Sequence, residues 1–437
     1  MTLEGQDHDE LIFLHLSDIH FVKNFSGESK YDLDASLRHA LEQDIEKLMD
    51  HIDHVDGILI SGDIAFGGKV EEYETARTWL KKLAEILGCD PGYVWSVPGN
   101  HDIDQSVQKD MSILLDTYEM LRKSKKLDDD LHEKLTGKLD GPLMFQPLKN
   151  YHEQFGMKYG CPTSPREPWW EDELPLNDGS ALRIRGMNSA IISSAKDHRD
   201  TAKLILGSAQ TEYKPEKNIV YLTLCHHPPD WLLDGENAHE AMVAHSNLQF
   251  FGHKHSHRHE KIFERLRLYS GAVHPVRSEK HWDPRYYFVG LKVESSAESR
   301  ELVVKLYPRV WSNTDRIFVR AAGDFEGLFL TERLKLPQWR REIELASTAP
   351  VVAADASAPA ATPLNMTLNR KKLVNRFMAL PYHAQVSIMQ EFNLFTDVEK
   401  ASLPDTELFI ACFQRAREKN VLDQLWDAID SETRKGN

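Results

Sequence analysis

The chain has 437 residues, with 53 lysines and arginines against 68 aspartates and glutamates, a net charge of −15. That length argues for one large domain with a smaller appendage, and the acidic balance argues against non-specific duplex binding through a broad basic field. No long apolar run occurs and the N-terminus is acidic and polar, so neither a membrane span nor a signal peptide is expected and a cytoplasmic location follows.

Residues 11–17 (LIFLHLS), 57–61 (GILIS) and 93–97 (YVWSV) are short β-rich apolar runs. Amphipathic helical patterns separate them, over 33–50 with Leu37, Leu41, Ile45 and Leu48 and over 70–87 with Tyr73, Trp79, Leu80, Leu83 and Leu87. Residues 105–158 are long, charged and largely helical in pattern and form a helical insertion, a candidate cap over the site. The Pro-rich piece from Cys161 to Pro175 is expected as a loop returning to a strand over 182–187. Two more apolar runs follow at 219–225 (IVYLTLC) and 248–251 (LQFF), and the alternating stretches 267–270, 286–293 and 301–307 are expected to complete a second sheet. Strand–helix alternation implies an α/β layered fold with ligands at the carboxyl ends of strands. Residues 1–345 make up this unit. An Ala- and Pro-rich linker follows over 346–363, and 364–437 carry amphipathic helices that read as a small all-α bundle.

Five of the apolar runs end in polar motifs: Asp18-Ile19-His20, Gly62-Asp63, Gly99-Asn100-His101-Asp102, His226-His227-Pro228 and Gly252-His253-Lys254-His255. Side chains from five strand ends can converge on two cations, as those of one short stretch could not. Asp18 and His20 stand two apart and can address one cation, with His255 completing that site. Asp63 follows a glycine that lets the backbone approach, and its two oxygens can bridge metals about 3.5 to 4 Å apart. Asn100, His226 and His253 then hold the second metal. The mixed oxygen and nitrogen set suits Mn, Fe or Zn better than Ca. Such a pair generates a bridging hydroxide nucleophile and neutralises phosphoryl charge, while His101 is placed to give a proton to the leaving group. Asp102 orients the loop or caps the next helix.

These motifs, in this order, resemble the calcineurin-like metallophosphoesterase superfamily over roughly residues 10–310. The resemblance implies a four-layer α/β/β/α sandwich, and it makes His226 rather than His227 the ligand. The Gly62-Asp63 motif continues Ile64-Ala65-Phe66 and lacks the second Asp and the Arg of the phosphoprotein phosphatases. A phosphodiesterase acting on a nucleotide or nucleic acid is therefore the expectation, ahead of a phosphomonoesterase, a protein phosphatase or a non-catalytic phospho-ligand scaffold. The C-terminal bundle resembles the death-like effector-associated adaptor domains found beside enzymes in bacterial conflict and phage-defence systems, which implies a protein partner for residues 364–437.

Cys89, Cys161, Cys225 and Cys412 are widely spaced with no CxxC, and are expected as reduced, mostly buried thiols. Lys254, His257, Arg258 and His259 extend the last motif and are read as exposed or supporting, His274 is expected on a loop near the site, and Asn188 as a cap. Gly67-Gly68-Lys69 is no phosphate loop, because Val70 stands where Ser or Thr is needed.

Overall fold

The computed structural model describes residues 8–22, 35–194, 197, 203–214, 216–254, 258–274, 283–296, 298–323, 326–338, 363–403 and 405–435. Strands β1 (Leu11–Leu16), β2 (Gly57–Ile60) and β3 (Val94–Ser96) run parallel in one sheet. A second sheet is built on β4 (Trp169–Pro175), β5 (Ala181–Met187), β6 (Ile219–Cys225), β7 (Leu248–Phe251), β8 (Arg258–Ile262) and β9 (Arg265–Tyr269), in the order β4-β5-β6-β7-β9-β8. Strands β10 (Arg285–Ser295), β11 (Arg300–Ser312), β12 (Ile317–Arg320) and β13 (Leu330–Lys335) return to the first sheet, which runs β12-β11-β10-β1-β2-β3 with β13 also on β11.

The two-residue period of a strand explains the layering. In β1, Leu11 and Phe13 point into the core between the sheets, whereas Ile12, Leu14 and Leu16 face helices 35–48 and 70–87 on the outer side. In β6, Val220, Leu222 and Leu224 point inward, and Tyr221 and Cys225 face the insertion through Leu114, Tyr118 and Leu121. Four layers result, helix on sheet on sheet on helix. The insertion helices begin at Gln105, three residues past Asp102, and their apolar faces cover the outer side of the second sheet.

Two expectations need correction. Trp169–Pro175 is a strand and not a loop, paired antiparallel with β5 from Trp169↔Met187 to Pro175↔Ala181. Its inward residues Trp170, Asp172 and Leu174 alternate with outward Glu171 and Glu173, and its proline closes an edge strand, where a missing N–H costs no ladder bond. The stretches 286–293 and 301–307 belong to the first sheet, since β10 pairs antiparallel with β1 at Leu11↔Leu291. Residues 267–270 alone meet the second-sheet expectation, through β7.

Helices Pro363–Ala379, Tyr382–Glu391, Asp397–Ser402, Asp405–Glu418 and Leu422–Lys435 share a core of Leu373, Phe377, Met389, Leu408, Phe409, Leu425 and Ile429. The linker expected at 346–363 lies outside the described residues but for Pro363. The bundle is seated on the sheet domain. Met157 enters the bundle core, and Lys371, fully buried, donates from Nζ to the carbonyls of Val94 at 3.1 Å and Tyr159 at 2.7 Å. Its ammonium is 3.7 Å from Asp172 Oδ2 and lies 4.8 Å from the centre of the Trp95 ring. Asp172 also accepts from Trp95 Nε1 at 2.9 Å. Lys371→Ala strands this buried carboxylate and is expected to cost about 3 kcal/mol, as breaking a buried ion pair does, read from the urea unfolding midpoint. A midpoint equal to that of the parent protein would mean that the ammonium does not hold the helix against the sheet.

Candidate metal centre

The loops after β1, β2, β3, β6 and β7 meet at one end of the sheet pair. Asp18, His20, Asp63 and His253 all have left-handed backbone, with φ of 51°, 53°, 52° and 66°. For side-chain-bearing residues this costs of order 1–3 kcal/mol each and persists only where the surroundings over-determine it. Here they do. The first two loops are zipped together by Asp18 N–H to Gly62 O at 3.0 Å, Ile19 N–H to Asp63 O at 2.9 Å and Phe21 N–H to Ile64 O at 2.9 Å. Val273 and His274 donate to the carbonyls of Ser17 and Asp18 at 2.9 and 3.0 Å, closing the other side. Glycines provide the clearance: a Cβ on Gly62 would lie 2.6 Å from His226 Nδ1, one on Gly99 would collide with Asp63 Oδ1, and one on Gly252 with Ser17 Oγ.

Asp63, 1 % exposed, is the hub. Its Oδ2 lies 3.2 Å from His20 Nε2 and 3.3 Å from His226 Nε2, and its Oδ1 accepts the His101 backbone N–H at 2.7 Å. Asn100 Oδ1 is 3.2 Å from His226 Nε2 and 3.0 Å from His227 Nε2. Asp18 Oδ2 accepts from Ser17 Oγ at 2.5 Å and from His253 N–H at 3.1 Å. Among the described residues, three sets could each bring ligand atoms within 4.8 Å of one another: Asp18, Asp63 and His226; His20, Asp63 and His101; and His226, His227 and His253. Of the sequence-derived candidates, Asp18, His20, Asp63, Asn100, His101, His226 and His253 thus lie together. His255 and His257 lie outside the described residues.

The tautomers test whether this donor set fits a metal. His20 Nδ1 faces the His274 carbonyl at 3.1 Å and His226 Nδ1 faces the Ser61 carbonyl at 2.7 Å. A carbonyl only accepts, so each Nδ1 carries the proton and each neutral imidazole turns a lone pair at Nε2 toward a carboxylate that is itself only an acceptor. Converging lone pairs repel unless positive charge sits among them. In the absence of a cation, a proton on the imidazole answers the same demand. Burial alone would lower the pKa of His226, yet Asp63 and Asp18 push it up to about 9. Burial would raise the Asp63 pKa, yet His226, His101 and His20 hold it well below the usual carboxylate range. The arrangement fits divalent cations.

His101 is oriented by a backbone carbonyl and not by an acid. Its Nδ1 donates to Phe66 O at 2.9 Å, which leaves Nε2 directed elsewhere. Asp102 is fully buried and braces two loops, accepting from Gly99 N–H at 2.9 Å, Ala65 N–H at 2.9 Å, Ile64 N–H at 3.2 Å and the Tyr73 hydroxyl at 3.0 Å. Burial and then the charge of Asp63 push its pKa up to about 7, against the pull of those N–H groups. It orients the loop and does not cap a helix; the cap of helix 105–110 is Asp104.

The sequence reading set His227 aside as a ligand and passed over Ser17 and Ser61. His227 sits between Ser189 Oγ, 2.8 Å from Nδ1, and Asn100 Oδ1, and burial with its histidine neighbours drives its pKa well down. The adjacency of Ser17 and Ser61 to the two Asp motifs was the available signal. His274 is a loop partner of Asp18 and His20, and Asn188 Oδ1 caps a turn by accepting from Ala190 N–H at 2.9 Å. Lys254 pairs with Asp230 at 2.5 Å, Arg258 pairs with Glu260, and His259 Nε2 is 3.9 Å from Glu332. Cys225 packs in the core, with its thiol pushed up to about 12 by burial.

The family model for calcineurin-like phosphoesterases matches residues 11–257, and that for the GTPase-associated adaptor domain matches residues 369–431 within the helical bundle. The uncharacterized metallophosphoesterase-like protein YydB of Bacillus subtilis (strain 168) is 28% identical over 280 residues, 60% of this chain and 53% of the relative, so the match spans about half the relative's length. Among solved structures, GAP50, the anchor in the inner membrane complex of Plasmodium, is 10% identical with a TM-score of 0.37, over 76% of this chain and 90% of that one. A putative 5'-nucleotidase from Staphylococcus aureus is 11% identical with a TM-score of 0.34, over 83% of this chain and 58% of that one.

Gly99→Ala must displace Asp63 Oδ1. It is expected to weaken Mn binding about 10- to 100-fold, the scale seen when a ligand's supporting shell is disturbed, measured by calorimetric titration of the chelator-stripped protein. Unaltered affinity would show that Asp63 does not help to hold the metal.

Proposed function

The chain belongs to the calcineurin-like phosphoesterase family, and from that premise we propose that it is a binuclear-metal phosphodiesterase acting on a nucleotide or nucleic acid. The observation that carries the reading is the approach of His20 Nε2 and His226 Nε2 to the same oxygen of buried Asp63, at 3.2 and 3.3 Å, with both Nδ1 protons committed to carbonyls. Asp18, His20 and His255 would hold one divalent cation and Asn100, His226 and His253 the other, with Asp63 shared; Mn, Fe and Zn all suit these donors. Such a pair supplies an activated water and neutralises charge on the phosphoryl oxygens.

The chain's own groups do the rest. His101 keeps its Nδ1 on the Phe66 carbonyl and would present Nε2 to the departing oxygen as proton donor. Asp102 keeps the loops of Asp63 and Asn100 in mutual register. His227, beside Asn100 Oδ1, restricts how that amide turns. The GTPase-associated adaptor domain match supports a protein partner for the bundle. Four free cysteines suit a reducing, cytoplasmic setting; among the described residues, no helix is long and apolar enough to cross a membrane.

The test is hydrolysis by the chelator-stripped and Mn-reloaded protein of bis-p-nitrophenyl phosphate, p-nitrophenyl phosphate, cyclic nucleotides and single-stranded DNA. Turnover should vanish with the chelator, return with Mn and favour diesters. Preference for the monoester would move the assignment to a phosphatase, and no turnover of any of them would sink it. His101→Ala is expected to slow diesters with alkoxide leaving groups by about 10²- to 10⁴-fold, the usual worth of a positioned acid. p-Nitrophenyl esters should suffer far less, because p-nitrophenolate departs without a proton. Equal losses on both would remove His101 from the leaving-group role.

A further inference from the structure

Phe66 is 47% exposed, the one aromatic ring so exposed among the described residues of these loops: Phe21 at 2%, Ile64 at 0% and Ile103 at 2% are shut away, and the exposed Val22, at 43%, has no ring. Its ring is placed with care. The centroid stands 5.1 Å from that of His101 at an interplanar angle of 32°, and 6.1 Å from that of His20 at 86°. The backbone beneath is fixed from both sides, the Phe66 N–H donating to Phe21 O at 2.9 Å and the Phe66 carbonyl accepting from His101 Nδ1 at 2.9 Å. A half-exposed aromatic ring is thus held rigidly beside the group assigned to the leaving oxygen.

Among the described residues, the ammonium of Lys69 is already engaged. Lys69 gives its ammonium to Asp104 Oδ1 at 2.5 Å and to Ser106 Oγ at 2.9 Å. With a net charge of −15, the chain as a whole also disfavours holding a long polyanion by its phosphates. A flat apolar face at a fixed distance from the His101 ring suits an aromatic group, and every nucleobase has such a face.

We propose that Phe66 is a specificity-determining residue, the platform on which a nucleobase carried by the leaving group stacks. The substrate class is then a nucleoside phosphate ester whose departing oxygen belongs to the nucleoside. This deepens the hydrolase assignment and rests on it for the side from which the group departs.

The experiment reads binding and not turnover. Calorimetric titrations of the Mn-loaded full chain compare the non-hydrolysable phosphonate analogues of AMP and of ribose 5-phosphate, which differ only by the base. In the parent protein the AMP analogue should bind about 10- to 100-fold more tightly, the worth of one stacked base. Phe66→Ala should erase that advantage and Phe66→Trp should keep it, while the affinity for the ribose 5-phosphate analogue stays the same in all three. That constancy also reports that each variant is folded and metal-loaded. Equal affinities for the two analogues in the parent protein would overturn the proposal, as would an advantage that survives in Phe66→Ala. An AMP preference in a protein that hydrolyses nothing would uphold the platform and sink the hydrolase reading; no preference in an active enzyme would do the reverse.

Discussion

Burying one carboxylate constrains the rest of this structure. Asp63 is 1% exposed, and an ion taken out of water is tolerated only when it is paired and hydrogen-bonded. His20, His226 and the His101 N–H surround it, and each of those groups has to be delivered from a different strand end. That requirement accounts for the left-handed backbone at Asp18, His20, Asp63 and His253, for the glycines at 62, 99 and 252, and for a second buried carboxylate, Asp102, spent wholly on bracing loops. The sandwich can be read as a rigid mount for this one group: β1, β2 and β3 aim their carboxyl ends from one sheet, β6 and β7 from the other, and the core between the sheets fixes their separation.

Much of this was legible in the residues because it is local. A short apolar run followed at once by Gly-Asp or Gly-Asn-His announces a strand end that needs close backbone approach and a ligand, and the runs at 11–17, 57–61, 93–97, 219–225 and 248–251 all prove to be strands of the sandwich. What was not legible is non-local. Period-two alternation identified β10 and β11 as strands but carries no information about which neighbour they pair with, so their return to β1 could not be read. The strand at 169–175 was hidden because the prolines before it, its closing Pro175 and its acidic residues resemble a loop until β5 is laid beside it. The orienting partner of His101 is a main-chain carbonyl, which no residue type signals.

The same distinction applies to the C-terminal bundle. Its helices and its own core follow from amphipathic spacing, and a Pro-rich segment before it suggests a loose tether. Lys371 ties the first bundle helix to the sheet domain. An ammonium removed from water is retained only where carbonyls and a carboxylate receive it, and here they belong to β3, β4 and the end of the insertion. The bundle is therefore attached to the strand whose far end carries Asn100 and His101.

The carbonyl at His101 has a chemical consequence of its own. A carboxylate partner would orient the imidazole equally well, but it would add a further buried negative charge to a site that already contains Asp18, Asp63 and Asp102. A neutral carbonyl orients the ring without that added charge and leaves Nε2 to face the site. Because that carbonyl belongs to Phe66, the His101 imidazole and the exposed ring share one fixed piece of backbone, with their centroids 5.1 Å apart.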